Sequence, residues 1–377
     1  MITYKYNIYR SKDTKYIDRI LRECCFTWNH ALALQRRYYK LYGKYISYVR
    51  MSNHFTKRIK RNILHSQTRQ EVLQRLDTSY SRFFKRIQKR PPKFKRHEQF
   101  NSFVFKQGGF VLDGNTIRLN SVNKRLKFSY SRPYEGKVKL VKIKREACGR
   151  YSITITTDKD VATKGKSHNG ASVGIDFGLK TYLTLSDGDT YASPLFFNKY
   201  SKKIKAANRK LSKAQKGSNN RKRRRFELSQ VYRKIENSRN DYQWKLANEL
   251  CRKYDFIFLE TLSVEGMKRR WGRKISDLSH SSFVEKLHYE AGRYGVTVHH
   301  IDRWYASSKT CECGYVNKSL ALKDRTWVCP ECGLVNDRDL LAANNILRKG
   351  ISELESNGKS SAKTRSSLRT HPRIPCL

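Results

Sequence analysis

Hydrophobic and polar residues alternate along the first ten positions of the chain, a period of two that predicts a β-strand with one buried face. Between residues 13 and 88 the apolar positions instead recur every three, four or seven residues, which predicts helices. Pro91 and Pro92 follow, and because proline has no amide proton to donate, we expect the helical region to end before them.

Strand-like alternation returns over residues 100–160, in the segments FVFKQGGFVLDGNTIRL, KVKLVKI and YSITITT. Glycine-containing turns separate these segments, as is usual between antiparallel strands. Together with the first ten residues they predict a small β-barrel whose first strand is the N-terminus. The helices would then be an insertion into this barrel.

The second half of the chain alternates strands and helices, which predicts an α/β domain. An apolar strand ends at Asp176, residues 200–254 form one or two long basic helices, and a second strand, YDFIFLE, ends at Glu260. A helix over 281–294 and a strand, VTVHHID, follow. Residues 351–377 are rich in Ser and Lys and contain two prolines, so we expect a disordered tail.

Charge sets the class of partner. The chain has 80 Lys and Arg against 32 Asp and Glu, a formal net charge of +48. The repulsion among so many positive charges is relieved when a polyanion binds. The 23 Tyr and 17 Phe interspersed with the cations suit stacking on unpaired bases. No apolar run of about 18 residues predicts a membrane span, and no apolar leader is apparent near the N-terminus. We expect a cytoplasmic nucleic-acid-binding protein.

Three acidic residues are placed where metal ions could bind. Asp176 and Glu260 lie at or near strand ends, where ligands collect in open α/β sheets, and Asp339 precedes the helical pattern LLAANNIL. Each has an ordinary alternative: Asp176 as a turn residue, Glu260 as an ion-pair partner, and Asp339 as a helix N-cap. Taken together in a basic chain, they predict two magnesium ions about 4 Å apart that hydrolyse a phosphodiester. Asp176 would bridge the ions, with Glu260 and Asp339 each holding one.

Four cysteines form two pairs, CECG and CPECG, separated by fifteen residues. Two pairs of thiolates at this distance suit a tetrahedral structural zinc ion in a ribbon, with Cys311, Cys313, Cys329 and Cys332 as ligands. The first pair is one residue shorter than the usual C-x-x-C. Four reduced thiols without metal, or a distorted site that takes another ligand, are the alternatives.

A run of cations lies within the predicted basic helices and consists of Arg221, Lys222, Arg223, Arg224 and Arg225. Such a run can be a solvated helix face or a disordered hinge. The interpretation we favour is a helical arm that grips a nucleic-acid backbone, because closely spaced cations neutralise consecutive phosphates.

Several segments together resemble the TnpB family, the transposon-encoded relatives of type V CRISPR effectors. In the C-terminal half these are GIDFGLKTYLTLSDG, KLSKAQKGSNNRKRRR, FLETLSVEGM, SSKTCECGYVNKSLALKDRTWVCPECG and NDRDLLAANNIL. In the N-terminal half they are FTWNHALAL, SQTRQEVLQRLDTSYSRFF and PPKFKR. The resemblance covers roughly residues 1–350.

The resemblance implies an RNA-guided DNA endonuclease with a RuvC domain of RNase H type. Its partners would be a guide RNA (omega RNA) derived from the transposon end and double-stranded target DNA beside a short target-adjacent motif. It also implies a prokaryotic, nucleoid-associated protein with one chain per RNA. A binding protein that occupies DNA without cutting, an RNA-guided repressor, is the main alternative, and a strand-joining transposase is a weaker one.

The family's catalytic residues fall here on Asp176, Glu260 and Asp339, with Asp339 rather than Asp337 matching the second Asp of the D-R-D element. The family's zinc ligands fall on the four paired cysteines. Gln67 and Gln70 lie on the helix that the family uses to contact the target duplex, and Gln can pair with adenine. Leu341 departs from the family, which usually has Asn at this position, and we expect altered rather than lost activity.

The resemblance implies a multidomain α+β and α/β fold in which a β-barrel wedge with a helical insertion precedes an RNase H-like RuvC domain with an inserted zinc ribbon. The expected boundaries are 1–12 for the first wedge strand, 13–98 for the helical recognition domain, 99–165 for the rest of the wedge, 166–305 for RuvC with its basic arm at 200–254, 306–335 for the zinc ribbon, 336–350 for the end of RuvC and 351–377 for the tail.

Overall fold

A computed structural model describes residues 1–59, 63–160, 162–321 and 324–360. The chain divides into two compact units. The first unit holds Met1–Val161 together with Gln215–Gln230, and the second holds the rest of the described chain.

The first unit begins with a strand and three helices and continues with six further strands. Its elements are β1 (Ile2–Ile8), α1 (Thr14–Tyr42), α2 (Tyr48–Arg58), α3 (Ser66–Phe84), β2 (Ser102–Phe105), β3 (Phe110–Asp113), β4 (Thr116–Leu119), β5 (Lys124–Lys127), β6 (Val138–Arg145) and β7 (Tyr151–Thr157).

These strands form two antiparallel sheets, one in the order β1-β7-β6-β2 and one in the order β3-β4-β5. Ile2 pairs with Thr157 across β1 and β7, so the N-terminal strand joins strands that follow the helices, as the alternating pattern predicted. A single bridge between Ile8 and Phe128 links the first strand to the end of the second sheet. Closure of the strands into a barrel stays a prediction.

The second unit contains a sheet of five strands, a cysteine-bearing hairpin and the helices that cover them. Its elements are β8 (Ser172–Phe177), β9 (Thr181–Leu185), β10 (Thr190–Ala192), α4 (Phe196–Lys199), α5 (Ser201–Ser212), the C-terminal part of α6 (Asn219–Lys253), β11 (Phe256–Glu260), α7 (Val264–Leu278), α8 (His280–Tyr294), β12 (Thr297–Ile301), β13 (Thr326–Val328), β14 (Val335–Asp337) and α9 (Arg338–Ser360).

The sheet has the order β10-β9-β8-β11-β12. Strands β10, β9 and β8 are antiparallel neighbours, whereas β8, β11 and β12 run parallel to one another. One face packs on α6 and α8, where Leu250, Phe283 and Leu287 are buried against Ile175 and Leu259. The other face is covered by α9, whose Ile346 is buried against the sheet.

Two glycines allow α9 to lie directly on the sheet. A Cβ atom on Gly174 of β8 would lie 2.1 Å from the Ala343 carbonyl oxygen, and one on Gly350 of α9 would lie 2.1 Å from the Phe258 ring of β11. No real side chain fits at such distances. The small residues therefore fix how closely the helix approaches the strands that carry Asp176 and Glu260.

Two expectations from the sequence were wrong in part. The predicted disordered tail begins too early, because α9 continues to Ser360 and so includes residues 351–360, whereas residues 361–377 lie outside the described residues. The helix extends because Leu354 packs on the core of the α9 face and Glu353 accepts a hydrogen bond from His299 at 2.8 Å. The alternative of a disordered hinge for the cation run is also wrong, since this run lies inside α6.

Candidate active site and cysteine centre

Asp176 and Glu260 lie at the carboxyl ends of two neighbouring parallel strands, Asp176 one residue before the end of β8 and Glu260 at the end of β11. Ile175 of β8 pairs with Leu259 of β11, so the next residue on each strand, Asp176 and Glu260, lies at the same level of the sheet. Parallel strands stand about 4.8 Å apart, which brings the two carboxylates to one edge. This is the carboxyl edge that the strand pattern indicated.

Both side chains belong to the sheet face that α9 covers. Side chains alternate between faces along a strand, so Asp176 shares its face with Gly174, and Glu260 shares its face with Phe258. Gly174 and Phe258 both meet α9. The two acids are therefore directed towards the face from which α9 presents Asp339.

Asp339 lies in the first turn of α9, but it is not the residue that caps the helix. Asp337 Oδ1 accepts hydrogen bonds from the backbone amides of Asp339 and Leu340, each at 3.0 Å, and so satisfies the free N–H groups of the first turn. The N-cap alternative for Asp339 is therefore wrong. Its carboxylate is left to interact with groups at the sheet edge.

The three carboxylates influence one another electrostatically. Burial, followed by the negative charge of Asp339, raises the pKa of Asp176 to about 7. Burial, followed by the charge of Asp176, raises the pKa of Glu260 to about 7. Asp176 thus interacts with both of the other acids, as expected of the central member of the group.

Arg325 is a site residue that the sequence analysis missed. Its Nη1 donates to both carboxylate oxygens of Asp339, at 3.0 and 3.2 Å. Its backbone carbonyl accepts from the amide of Arg338 at 2.8 Å, which keeps the loop before β13 beside the start of α9. The only signal in the sequence is a cation between the two cysteine pairs, which cannot be told from the many others.

The donor set of the three acids fits a hard divalent cation. Within the described residues, the four paired cysteines are the one group of three or more candidate ligands whose atoms all lie within 4.8 Å of one another, so the three carboxylates form a more open arrangement. Magnesium retains several waters and binds through only one or two carboxylates at a time, so an open set of oxygens suits it. The raised pKa values mark negative charge that a cation would stabilise.

The four paired cysteines lie closer together than the three carboxylates do. Cys311 and Cys332 have their Sγ atoms 3.7 Å apart, and Cys313 and Cys329 have theirs 3.6 Å apart. Four sulfurs arranged tetrahedrally about zinc at 2.3 Å would stand about 3.8 Å from each other. Each thiol of the short C-x-C pair therefore lies beside a thiol of the C-x-x-C pair, all four sulfurs lie within 4.8 Å of one another, and the geometry suits zinc.

Leu341 joins the cysteine module to α9. Its side chain is buried beside Cys311, Cys329 and Trp327, in the small apolar core beneath the four thiols. The amide Nδ2 of Asn345 also donates to the carbonyl oxygen of Ser307, at 2.8 Å. The departure from the family's usual Asn thus has a packing role, close to Asp339 in sequence.

The two glutamines on α3 have different surroundings. Gln67 Oε1 accepts from the backbone amides of Gln107 and Gly108, each at 3.0 Å, and so holds the loop between β2 and β3. Gln70 is exposed. Contacts of either residue with a nucleic-acid base stay predictions, and the contacts of Gln67 give it a structural role as well.

The cation run occupies the start of α6 in the first unit. Arg224 donates to Glu227 at 3.0 Å and Arg223 lies 3.5 Å from the same carboxylate, so part of the charge is paired within the helix. Lys222 and Arg225 are exposed. Arg221 is half-buried, and its backbone amide is capped by Ser218 Oγ at 3.1 Å. Backbone gripping by these residues stays a prediction.

The fold is that of compact Cas12-type effectors. The chain superposes on a solved structure titled "Cryo-EM structure of the Cas12f1-sgRNA-target DNA complex" with a TM-score of 0.57 and 16% identity, covering 89% of this chain and 83% of that one. A second, titled "Structure of the mini-RNA-guided endonuclease CRISPR-Cas_phi3", gives a TM-score of 0.50 at 10% identity and covers 93% and 92%. At these identities the likeness concerns the fold alone.

Sequence relatives define the family. The chain is 31% identical to a Streptomyces pristinaespiralis protein named "Putative RNA-guided DNA endonuclease", covering 80% of this chain and 77% of the relative. It is 28% identical to "Putative RNA-guided DNA endonuclease InsQ" of Escherichia coli K12, covering 88% of each. The family models OrfB_IS605 (probable transposase) and Cas12f1-like, TNB domain match residues 152–270 and 280–346. The chain belongs to the TnpB family.

Helices that are both long and apolar enough to cross a membrane are not found in the described parts of the chain.

Proposed function

We propose that this protein is an RNA-guided DNA endonuclease of a transposon that cuts double-stranded DNA through a RuvC-type site. The observation that carries the proposal is the position of Asp176, which lies level with Glu260 at the carboxyl edge of the sheet, on the face that α9 covers and from whose first turn Asp339 extends. The strand order, three antiparallel strands followed by two parallel ones, supports an RNase H-like domain. Family membership supports a guided nuclease over an unguided one.

Asp176, Glu260 and Asp339 would hold two magnesium ions. Bound there, the ions would supply an activated water and stabilise the leaving oxygen of the phosphodiester. The protein's own contribution is to hold three carboxylates on two strands and one helix, which fixes the distances among them. Arg325, which donates a hydrogen bond to Asp339, would neutralise a phosphate oxygen at the same edge.

The remaining parts have roles that agree with this activity. A guide RNA from the transposon end would bind the basic surfaces, including the cation run of α6, with one chain per RNA. The sheets of the first unit would act as the wedge for the guide, and α3 would approach the target duplex beside a short target-adjacent motif. The protein would act in the prokaryotic cytoplasm, on the nucleoid.

The cysteine module would hold one structural zinc ion through Cys311, Cys313, Cys329 and Cys332. Its apolar core contains only a few side chains, Leu320, Trp327 and Leu341 among them, so the metal would supply much of its stability. Elemental analysis of the purified chain should give one zinc per molecule, and Cys329→Ser should lower that content well below one. Full occupancy in the variant would contradict the assignment.

Cleavage of a matching plasmid tests the proposed function directly. The chain is expressed with its native flanking DNA so that it acquires its guide, and the complex is incubated with magnesium and a supercoiled plasmid that carries the target. Linear plasmid is the expected product. Plasmid that is bound but stays supercoiled would instead support an RNA-guided repressor, the alternative that the presence of all three acids disfavours.

A further inference from the structure

Trp304 is the most exposed large hydrophobic side chain among the described residues. Its side chain is 84% exposed, whereas Trp28 and Trp327 are buried and Trp244 is 38% exposed. Removing an indole from water is favourable by a few kcal/mol, so leaving it in solvent forgoes a considerable stabilisation. A ring exposed to this extent is available to a flat ligand.

The backbone of Trp304 lies near the candidate active site. Trp304 follows β12, whose last residue, Ile301, is the pairing partner of Glu260. Thr261 Oγ1 donates to the Ile301 carbonyl at 2.9 Å, which keeps the two strand ends together. One strand spacing and three residues of chain place the Trp304 backbone within roughly 15 Å of that of Glu260.

The backbone around Trp304 makes contacts that hold it in place, whereas the indole itself is exposed to solvent. The amide of Trp304 donates to Asp302 Oδ1 at 3.2 Å. The next residue, Tyr305, packs on the core formed by Phe258, Ile301 and Ile346. The backbone beside the indole is therefore anchored on both sides, which lowers the entropy cost of binding a flat ligand.

The surroundings point to a nucleic-acid base and not to a protein partner. The two residues before Trp304, Asp302 and Arg303, are exposed and charged, so the chain beside the indole is polar, unlike the apolar surfaces that dock other proteins. An unpaired base offers a flat face to the indole, and Arg303 is beside it for the phosphate. Stacking of this kind is independent of base identity, which suits an enzyme that takes its sequence from a guide.

We propose that Trp304 stacks on an unpaired base of the DNA strand held at the carboxylate edge, within a few nucleotides of the phosphate that is cut. This assignment rests on the proposed nuclease function. The stack fixes the strand on one side of the site, so that the phosphate faces Asp176, Glu260 and Asp339. Trp304 is thus a substrate-contacting residue that positions the strand and takes no part in proton or metal chemistry.

Fluorescence measures the stack itself. Target DNA is prepared with 2-aminopurine at successive positions around the cut, and the guide-loaded full-length protein binds it in calcium, which replaces magnesium so that the strand stays intact. The fluorescence at one or two positions should be quenched by the wild type and by Trp304→Phe. Trp304→Ala and Trp304→Leu should lack this quenching, because leucine keeps the apolar bulk but has no ring face.

Kinetics on an abasic target separate stacking from a structural role. Trp304→Ala should slow single-turnover cleavage by roughly 5- to 100-fold, the range expected for losing one base stack, with target binding changed by less than about threefold. Removing the stacked base from the DNA should slow the wild type to a similar extent. The same abasic DNA should leave the rate of Trp304→Ala unchanged, since the partner is already gone.

Two outcomes would overturn the assignment. One is equal quenching at every position for the wild type and Trp304→Ala. The other is an abasic effect that is as large in the variant as in the wild type. If the wild-type complex binds target but never cuts it, the proposed cleavage fails, while the fluorescence still decides whether Trp304 stacks.

Discussion

At the residue scale, Asp337 and Asp339 divide two tasks that a sequence pattern cannot separate. Both precede an apolar helical pattern, and either could cap the helix. The structure gives the cap to Asp337 through two backbone amides at 3.0 Å and leaves Asp339 to interact with Asp176 and Arg325. Only the path of the chain into α9 decides between them.

This division predicts opposite effects for two substitutions. Asp337→Ala should lower the free energy of unfolding by about 1 kcal/mol, because the cap is lost, and should keep most of the cleavage activity. Asp339→Ala should abolish plasmid cleavage and leave the stability within about 0.5 kcal/mol, since it removes an exposed ion pair and a repulsion together. Thermal unfolding and plasmid cleavage measure the two effects. If Asp337→Ala abolished cleavage and Asp339→Ala only lowered the stability, Asp337 would be the metal ligand and Asp339 the helix cap.

The raised pKa values of Asp176 and Glu260 predict a pH dependence of stability in the metal-free protein. Both values are about 7 in the folded chain, above the ordinary values of these groups, so between about pH 4 and 7 the folded state holds more protons than the unfolded state. The contribution of these two protonated groups to the free energy of unfolding is fully present below pH 4. It is lost as the pH rises through 7, which lowers the free energy of unfolding by up to a few kcal/mol.

Unfolding of the protein in a chelator, followed from pH 5 to pH 8, measures this loss. Asp176→Asn is the matched control, because it removes the charge and keeps the shape, and its stability should change less over the same range. Magnesium should restore the stability of the wild type at pH 8 and do little for the variant. Equal pH profiles for both proteins would contradict the electrostatic account of the site.

The sequence was sufficient to identify the acidic site residues, but not the residues that surround them. Asp176 and Glu260 could be found because apolar strands end at each of them, a signal that needs no tertiary information. Arg325 and Trp304 could not be found, since one is a cation among 80 and the other follows an ordinary strand. Their places depend on the pairing of β11 with β12 and on the contact of the cysteine module with α9.

At the element scale, the approach of α9 to the sheet positions the site. Gly174→Ala would bring a Cβ to 2.1 Å from the Ala343 carbonyl oxygen, so the helix must move away from β8. We expect a loss of roughly 1–3 kcal/mol of stability and a marked fall in cleavage, because Asp339 moves with the helix.

Gly292→Ala is the matched control for this substitution. Gly292 lies within α8 and is exposed, and an added Cβ would meet nothing within 4 Å, so alanine there should be neutral or stabilising by up to about 1 kcal/mol. Chemical denaturation and plasmid cleavage of both variants compare the two sites. Equal behaviour of the two alanine variants would show that the close contact has no bearing on the active site.

Many helix and strand positions followed from periodicity, but α7 (Val264–Leu278) was not predicted, and the end of α9 was misjudged because it depends on contacts between distant residues. The tail was predicted to be disordered because its composition is polar. However, Leu354 packs on the core of the α9 face and Glu353 accepts a hydrogen bond from His299, and α9 therefore continues to Ser360. The predicted clustering of the four cysteines is present despite the short first pair, because the positions of the sulfurs depend on turns at Gly314 and Gly333, both with positive φ.

At the scale of the whole molecule, charge governs binding of the guide. Because the chain has a formal charge of +48, its affinity for guide RNA should fall by about 1000-fold or more between roughly 50 and 200 mM salt, as several phosphate contacts are lost together.

Arg225→Ala should reduce the slope of log affinity against log salt by about one, because this side chain is exposed. Arg224→Ala should change it less, since Arg224 is paired with Glu227. A slope near zero would contradict the charge argument.

In the proposed function, Asp176, Glu260 and Asp339 act together on a DNA strand that other parts of the protein bind. Binding and cleavage of the same target by the guide-loaded Asp176→Ala variant test this claim most directly. We expect a loss of cleavage of at least about 1000-fold, with target affinity within about threefold of the wild type, since phosphate contacts elsewhere supply the affinity. Retained cleavage, or equal loss of binding and cleavage, would contradict it.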